Sequence, residues 1–423
     1  MANTDNKGRP VVAVTGIGII TAFGAGKAQN WARMVKGDSG VREISRFDTA
    51  GLRTRIAATI DVDVEDRSCA SRSERLAELA ATEAVDQSGV GRICDFPGPL
   101  FIGIAPLELE WLHREELAAA CKSNGPQSYD DLLAAAATGR FRAIYRRASA
   151  GSIAECIARR FGTKGIPVSL NTACASGATA IQLGADAIRR GETSAALCVG
   201  TDGSVCPEML IRFSLLSALS TRNDPPGAAS KPFSLDRDGF VMGEGAGALV
   251  LERLEHAKAR GARILGIIKG CGEAADLFHR TRSSPDGKAI IACMCNAIMD
   301  ADLDPEQIGY VNAHGTATPE NDKMEYLAMA AVFTGKIMSL PVSSTKSMIG
   351  HTLSAAGAIE AAATVLMLEN QKILPTINYL KPDPAIPLDV VPDTGRDLSF
   401  AFAMSNSFGF GGQNVSLVFG VGE

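Results

Sequence analysis

The order of elements in this chain repeats once, and that repeat constrains the fold more than any other feature. In the first half a helical stretch at 73–89 precedes an apolar run from Pro99 to Ala105. Ile166 to Thr172 then runs into ACASGATAIQLGADAIRRG, and another apolar run follows at 195–200. In the second half, helical spacing at 289–303 precedes IGYVNAHGT from Ile308. LPVSSTKS from Leu340 then feeds IGHTLSAAGAIEAAATVLMLEN, and AFAMSNSFGFGG closes the series from Ala401. Short β-branched runs punctuated by glycine read as strands, and small apolar residues spaced by three and four read as helices. Val11–Gly24, Gly247–Leu254 and Ile264–Gly272 supply further strands. Such alternation predicts an α/β fold with a mostly parallel sheet. Because both copies carry a polar cluster at the same strand-to-helix junction, duplication of one unit is favoured over ordinary α/β alternation. The expected halves are 1–260 and 261–423, divided within the charged stretch Leu254 to Ile264. A helical insert at about 108–165, with its basic run GRFRAIYRR, interrupts the first half.

Composition narrows the function. Hydrophobic residues make up 46% and charged residues 21% of the 423, the balance of a globular protein with a sizeable core. Lys plus Arg number 42 against 47 Asp plus Glu, so no excess of positive charge is available for a phosphate backbone, and nucleic acid is not an expected partner. The polar start MANTDNKGRP and the absence of a stretch of ~18 apolar residues predict no membrane insertion and a cytoplasmic location. Ten cysteines are too sparse for a disulfide scaffold; Cys94, Cys121, Cys156 and Cys198 read as small hydrophobes in apolar or helical surroundings. Cys293 and Cys295 lack a nearby histidine, so no metal site is expected. The phosphate-loop, G-x-S-x-G and H-E-x-x-H motifs do not occur, and the G-x-G-x-x-A at Gly243 to Ala248 leads into a strand-like run, so no cofactor is expected.

Cys174 differs from the other nine cysteines. It follows the alternating Val168 and Leu170 and opens a run whose apolar positions Ala178, Ile181, Ala185 and Ile188 have helical spacing. A sulfur at a helix N-terminus is favoured as a thiolate, with a lowered pKa. A buried small residue at a strand end is an equal alternative for Cys174 alone. Two of the five histidines, His314 and His351, follow second-half strands in polar, glycine-flanked contexts, and together with Cys174 they converge on the crevice at the carboxyl ends of a sheet. His113, His256 and His279 lie among charges and are expected to be solvated. Lys346 and Glu360 can form a buried pair that fixes the histidine loop, although a surface pair is the default. Phe408 to Gly412 is expected to be a mobile wall of the site whose N–H groups can serve as oxyanion donors.

Five ordered segments, NTACASG (171–177), KPFSLDRDGFVMGEGAG (231–247), NAHGTATPEND (312–322), SSTKSMIGH (343–351) and NSFGFGG (406–412), resemble the β-ketoacyl-[acyl-carrier-protein] synthases of the elongating synthase II type. The resemblance runs from Val11 to Phe419. It implies the thiolase fold, a duplicated five-layer α-β-α-β-α sandwich, and a homodimer. It makes Cys174 the acceptor of an acyl chain from acyl-carrier protein, and His314 and His351 the residues assisting decarboxylation of malonyl-[acyl-carrier-protein]. The N–H groups of Cys174 and Phe410 become the oxyanion hole, with Phe408 and the pair Lys346 and Glu360 in support. Thr281, Thr316 and Thr318 match threonines near the malonyl and pantetheine entry.

Rivals on the same fold fit less well. A degradative thiolase needs a second cysteine near the C-terminus, and none follows Cys295; a type III initiating synthase has Asn where this chain has His351. A chain-length factor usually lacks the nucleophile. A cysteine acyl hydrolase remains the alternative from another class. In GIAPLELEW (103–111) the chain departs from the family's glycine pair, so Leu107 and Leu109 are expected to set the depth of the acyl pocket. That departure leaves a specialised role in very-long-chain, lipid A-type or nodulation-type acyl synthesis open. Docking of an acidic carrier protein on a net negative chain requires a local basic patch, for which Arg67, Arg72, Arg75 and Arg212 are the candidates.

Overall fold

The computed structural model describes residues 2–64, 66, 68–121 and 128–422. Its first half contains β1 (Val12–Thr21), β2 (Leu100–Ile104), β3 (Val168–Leu170), β4 (Ala195–Asp202) and β5 (Gly245–Arg253). Its second half contains β6 (Gly266–Ala275), β7 (Ile308–Asn312), β8 (Pro341–Ser343), β9 (Phe402–Phe408) and β10 (Gln413–Val421). In space these run β8-β7-β9-β10-β6-β1-β5-β4-β2-β3. Numbered from one within each half, both sets of five follow the order 3-2-4-5-1, so the repeat in the sequence is also a repeat in topology. The halves meet where β1 pairs antiparallel with β6, Val12 opposite Ile268 and Val14 opposite Gly266.

The sheet is mixed rather than mostly parallel. β2 pairs parallel with β3 and β4, and β7 with β8 and β9. The pairs β4–β5, β5–β1, β9–β10 and β10–β6 are antiparallel. For β9 and β10 the reason is local: Gly409 to Gly412 is a tight turn, and a parallel partner needs a crossover of a dozen or more residues.

Five layers result. α1 (Cys69–Ser88) and α2 (Ala150–Phe161) cover the outside of the first half's strands, and α4 (Lys288–Asp300), with α5 (Pro319–Val332) against it, covers those of the second. Between the strand layers lie α3 (Ser176–Arg189) and α6 (Ala356–Asn370), which touch each other and strands of both halves. α6 is buried along Ala356 to Leu368, and its sequence is correspondingly apolar on every face. The two central helices cross at glycines. A Cβ on Gly177 would lie 2.5 Å from the Ala358 nitrogen, and one on Gly357 2.6 Å from the Ala178 nitrogen.

α1 starts at Cys69, four residues before the helical spacing becomes visible, because Ser68 caps it by accepting the Ser71 N–H. Within the insert, helices span Trp111–Ala119, Tyr129–Ala137 and Arg142–Arg147 before α2. Cys94 is exposed in a loop, not packed, and Cys121 lies just beyond a helix end; Cys198 is fully buried in β4. Among the described residues no helix is long and apolar enough to cross a membrane.

Candidate active site

The reactive side chains sit at turns that the local sequence builds. After β3 the chain reverses at Ala173, which adopts a left-handed φ of 50°, an unusual conformation for a residue with a Cβ. The turn is held by Asn171, whose Oδ1 accepts the Ala173 N–H and whose Nδ2 donates to Ile104 O, and by Ser176, whose Oγ accepts the Thr172 N–H. Cys174 therefore stands one residue before the N-cap of α3. The histidines arrive in the same way. Gly315, after His314, has φ 37°, and a Cβ there would meet Ser344 Cβ at 2.6 Å; Gly350, before His351, has φ 68°.

These turns bring together three residues from opposite halves of the chain. His351 Nε2 lies 3.1 Å from Cys174 Sγ. The His314 and His351 rings meet edge to face at 5.3 Å and 84°. Glu325 anchors the His314 loop by accepting the N–H groups of His314 and Gly315, each at 2.8 Å. His351 is held through its backbone, donating to Val241 O at 2.7 Å and accepting from the Gly243 N–H. Lys346 and Glu360 form an ion pair with both side chains 1% exposed, so this is the buried pair and not the surface default. The Phe410 backbone N–H points at Cys174 Sγ, and Phe408 packs on His314 with ring centres 5.7 Å apart.

The electrostatics differ from the sequence reading at the cysteine. Burial pushes the Cys174 thiol up to about 11, despite the opposing Lys346 charge and Phe410 N–H, so the free enzyme holds a thiol and not a lowered thiolate. The helix N-terminus was the expected cause of a low value; enclosure outweighs it. Burial, reinforced by Lys346, holds both histidines well below their ordinary range, so both are neutral imidazoles. Desolvation raises Glu360 to about 7 against the pull of Lys346.

The cluster opens on a cavity of about 320 Å³ whose walls include Cys174, both histidines, Phe408 and Phe410. Thr281, Thr316 and Thr318 line it further out, with Thr316 and Thr318 hydroxyls 3.0 Å apart. The wall Phe408 to Gly412 is tied down: Asp276 N–H donates to Gly412 O and Gly411 N–H to Arg280 O, both at 2.8 Å.

Leu107 and Leu109 do not line this cavity. Leu107 borders a small cavity with Glu108 and Glu110, and Leu109 borders another beneath the insert's helices, so the segment does not sort its leucines to one side. It is not a strand, and period-two alternation has no hold on it. Arg72 is 4% exposed, donates to Gly203 O and pairs with Glu244, which removes it from any docking surface. Arg75 and Arg212 are exposed and paired with Glu78 and Glu108; Arg67 lies outside the described residues.

The sequence reading missed several wall residues. His279, taken as solvated, lines the cavity and its Nδ1 accepts the Thr281 N–H at 3.1 Å. His256 is bonded to Glu252, and His113 has a buried Nδ1 without a hydrogen-bond partner among the described residues. Phe240 packs edge to face on His351 at 5.2 Å; its signal was the motif GFVMGEGAG, which marked a strand rather than a ring. Cys174, His314 and His351 also place one ligand atom each within 4.8 Å of one another.

The N-terminal domain of β-ketoacyl synthases matches residues 9–257, and the C-terminal domain of β-ketoacyl synthases matches residues 265–380. The chain belongs to the β-ketoacyl synthase family, whose members are acyl-transferring condensing enzymes of the thiolase fold. It is 37% identical to the 3-oxoacyl-[acyl-carrier-protein] synthase 2 of Coxiella burnetii, covering 96% of this chain and 97% of that protein. It is also 37% identical to the enzyme of the same name from Synechocystis sp., covering 99% of each. Among solved structures it resembles the ishigamide ketosynthase/chain length factor, with a TM-score of 0.84, 33% identity and 98% and 99% coverage. A second resemblance is to a type II polyketide ketosynthase in complex with its acyl-carrier protein and bound to a hexaketide. Its TM-score is 0.85, with 30% identity and coverage of 98% of this chain and 100% of that one.

Proposed function

We propose that the protein elongates an acyl chain by decarboxylative condensation with malonyl-[acyl-carrier-protein], giving 3-oxoacyl-[acyl-carrier-protein] in fatty acid elongation. The carrying observation is the placement of two buried, neutral histidines against a buried cysteine. In the first half-reaction Cys174 attacks the acyl thioester. The new S–C bond replaces the carrier's, and the Cys174 proton leaves with the carrier thiol. Burial raises the Cys174 thiol, so attack requires removal of its proton, and His351 Nε2 at 3.1 Å is the base within reach that passes that proton on to the carrier thiol.

In the second half-reaction the malonyl C–C bond breaks, CO2 leaves, and the thioester oxygen becomes an enolate. Neutral imidazole N–H groups of His314 and His351 stabilise that charge, as a carboxylate could not. The enolate carbon then attacks the Cys174 thioester. The N–H groups of Cys174 and Phe410 hold the tetrahedral oxyanion until the Cys174 sulfur is expelled and reprotonated. Lys346 and Glu360 hold the chain between the two histidines in place. Thr281, Thr316 and Thr318 flank the incoming malonyl-pantetheine arm.

The carrier complex of the structurally similar ketosynthase supports a carrier-protein partner. A homodimer is supported by the outer edge of β3: among the described residues the strand pairs only with β2, and Ile166 just before it is 89% exposed. Ile166→Asp should shift the protein toward monomer in sedimentation velocity, and an unchanged profile would locate the contact elsewhere. The reaction is tested by loading Cys174 from an acyl-carrier protein and adding malonyl-carrier protein. A 3-oxoacyl product sustains the reading, whereas release of free acid at the same rate with and without the malonyl donor would make the enzyme a cysteine acyl hydrolase. A ladder of acyl primers in that assay separates general elongation from very-long-chain, lipid A-type or nodulation-type synthesis.

A further inference from the structure

Cys174, His314 and His351 each offer one ligand atom, and the three atoms lie within 4.8 Å of one another. His351 Nε2 is 3.1 Å from the Cys174 sulfur, and the two imidazole rings have their centres 5.3 Å apart. Each residue arrives on its own tight turn: Cys174 follows Ala173 at φ 50°, His314 precedes Gly315 at φ 37°, and His351 follows Gly350 at φ 68°. The cluster is thus assembled from three separate loops, which no sequence spacing of the C-x-x-C kind announces. Both histidines are 2% exposed, and among the described residues neither Nδ1 has a hydrogen-bond partner. No bonded neighbour at Nδ1 fixes the tautomer, so each ring can carry its proton there and leave the Nε2 lone pair free.

This donor set suits zinc. Zn2+ takes thiolate and imidazole together, with bonds of about 2.3 Å to sulfur and about 2.0–2.1 Å to nitrogen, which puts tetrahedral ligand atoms about 3.3–3.6 Å apart. The 3.1 Å contact has to open slightly, and the widest gap has to close by about 1.5 Å at most. The second side-chain torsion of histidine is broad, so turning the rings covers that range. All three residues stand in the wall of the cavity of about 320 Å³, which gives a hydrated ion a way in and leaves the fourth zinc position to water. The Lys346 charge opposes a cation here, and its ion pair with Glu360 offsets that charge.

We propose that Cys174, His314 and His351 form a zinc-binding site, and that zinc bound there inhibits the enzyme reversibly. On binding, the Cys174 S–H bond breaks, the proton passes to water, and the thiolate electron pair forms the Zn–S bond. The two imidazoles form Zn–N bonds through their lone pairs, and nothing is oxidised or reduced. The sulfur is then unavailable to a thioester, and the imidazoles are held by the metal instead of facing an enolate. An acyl chain on the Cys174 sulfur removes the thiolate in its turn, so zinc and acyl chain exclude each other. Zinc here is an inhibitor and not a cofactor, because condensation needs all three side chains unligated.

The inhibition rests on the condensation reading and the binding site does not, so the test reads them separately. Reduced full-length enzyme carrying Cys94→Ser and Cys295→Ser, which removes its exposed thiols, is titrated with zinc sulfate by calorimetry, and the complex is examined by X-ray absorption. The expected result is one zinc per chain, with one sulfur at about 2.3 Å and two imidazole nitrogens at about 2.0–2.1 Å. Alkylating Cys174 with iodoacetamide should weaken binding about tenfold or more, at least the loss that follows from changing a residue behind a ligand. His314→Ala and His351→Ala should each do the same. Zinc should also stop acyl-carrier protein from loading the free enzyme, EDTA should restore loading, and enzyme already acylated should condense at its zinc-free rate. Zinc that binds equally well after alkylation, or that shows no sulfur ligand, overturns the site. Zinc bound through Cys174 that leaves loading untouched overturns the inhibition. Zinc bound through Cys174 in an enzyme that never condenses upholds the site and counts against the function alone.

Discussion

Cys174 Sγ and His351 Nε2, 177 positions apart in the chain, lie 3.1 Å from each other. Burial leaves neither charged at neutral pH: the thiol is raised to about 11 and the imidazole held well below its ordinary value. The pair is thus a neutral contact that becomes polar only during reaction, which directs the predictions below.

Iodoacetamide should alkylate Cys174 in the free enzyme at a rate that climbs steadily from about pH 7 to pH 10, because the thiolate fraction of a raised thiol grows tenfold per pH unit below its pKa. Peptide mapping by mass spectrometry against pH measures this. A plateau already reached below pH 7 would reveal a thiolate–imidazolium pair instead. Cys174→Ala should abolish condensation outright.

His314→Ala and His351→Ala should each slow loss of CO2 from the malonyl donor by ~10²-fold or more, the usual cost of deleting one preorganised donor. Since both imidazole pKa values are lowered, the neutral forms persist as pH falls through 6.5, and wild-type decarboxylation should stay flat from about pH 8 to pH 6. Radiolabelled CO2 release across that window checks it; a fall with midpoint near 6.5 would place an ordinary histidine in the step.

Removing one partner of the buried Lys346–Glu360 pair should cost about 3–5 kcal/mol in urea unfolding, because the survivor is left as an uncompensated charge. Lys346→Met combined with Glu360→Leu should cost less than either single change. Glu360 also has a pH signature. Its folded pKa is raised, so the folded state holds a proton that the unfolded chain has already lost. Its contribution to stability therefore falls as pH rises from about 4.5 toward 7. Glu360→Gln should flatten that part of the stability profile.

Reversing Arg75 and Arg212 together should raise KM for the carrier-bound substrate and leave KM for a small acyl-thioester mimic unchanged, since both are exposed. Equal changes for both substrates would remove them from docking. Arg72→Glu should instead lower the melting temperature, because Arg72 is buried against Glu244.

The parts of the molecule legible in the sequence are those with local periodicity or a distinctive side chain. The duplicated order was readable because strands and helices of a repeated unit recur with the same spacing, Cys174 because helical spacing starts directly after it, and His314 and His351 because glycine flanks each. The antiparallel pairings of β1 with β5 and of β6 with β10 were not readable, since each joins residues more than a hundred positions apart. The same limit applies to ionisation. Helix position argued for a lowered Cys174, but how completely other segments enclose the sulfur decides the matter, and no window of sequence around residue 174 contains that enclosure. His279 and Phe240 were overlooked for a related reason: their own neighbours are charged or strand-like, and the cavity they line is assembled from distant loops. The leucines of GIAPLELEW were chosen for their place just after a strand, and in the folded chain they border two separate cavities apart from the catalytic one.

The glycine crossing of α3 and α6 has a mechanical consequence. Because Gly177 and Gly357 bring backbone close to backbone, the clearance between the helix that follows the nucleophile and the helix that follows His351 is gauged by main-chain atoms and by the methyl groups of Ala178 and Ala358. Substitutions in the surrounding strands can reshape the cavity without resetting that gauge. A single methyl group at either glycine would act as a wedge, prising the cysteine half from the histidine half.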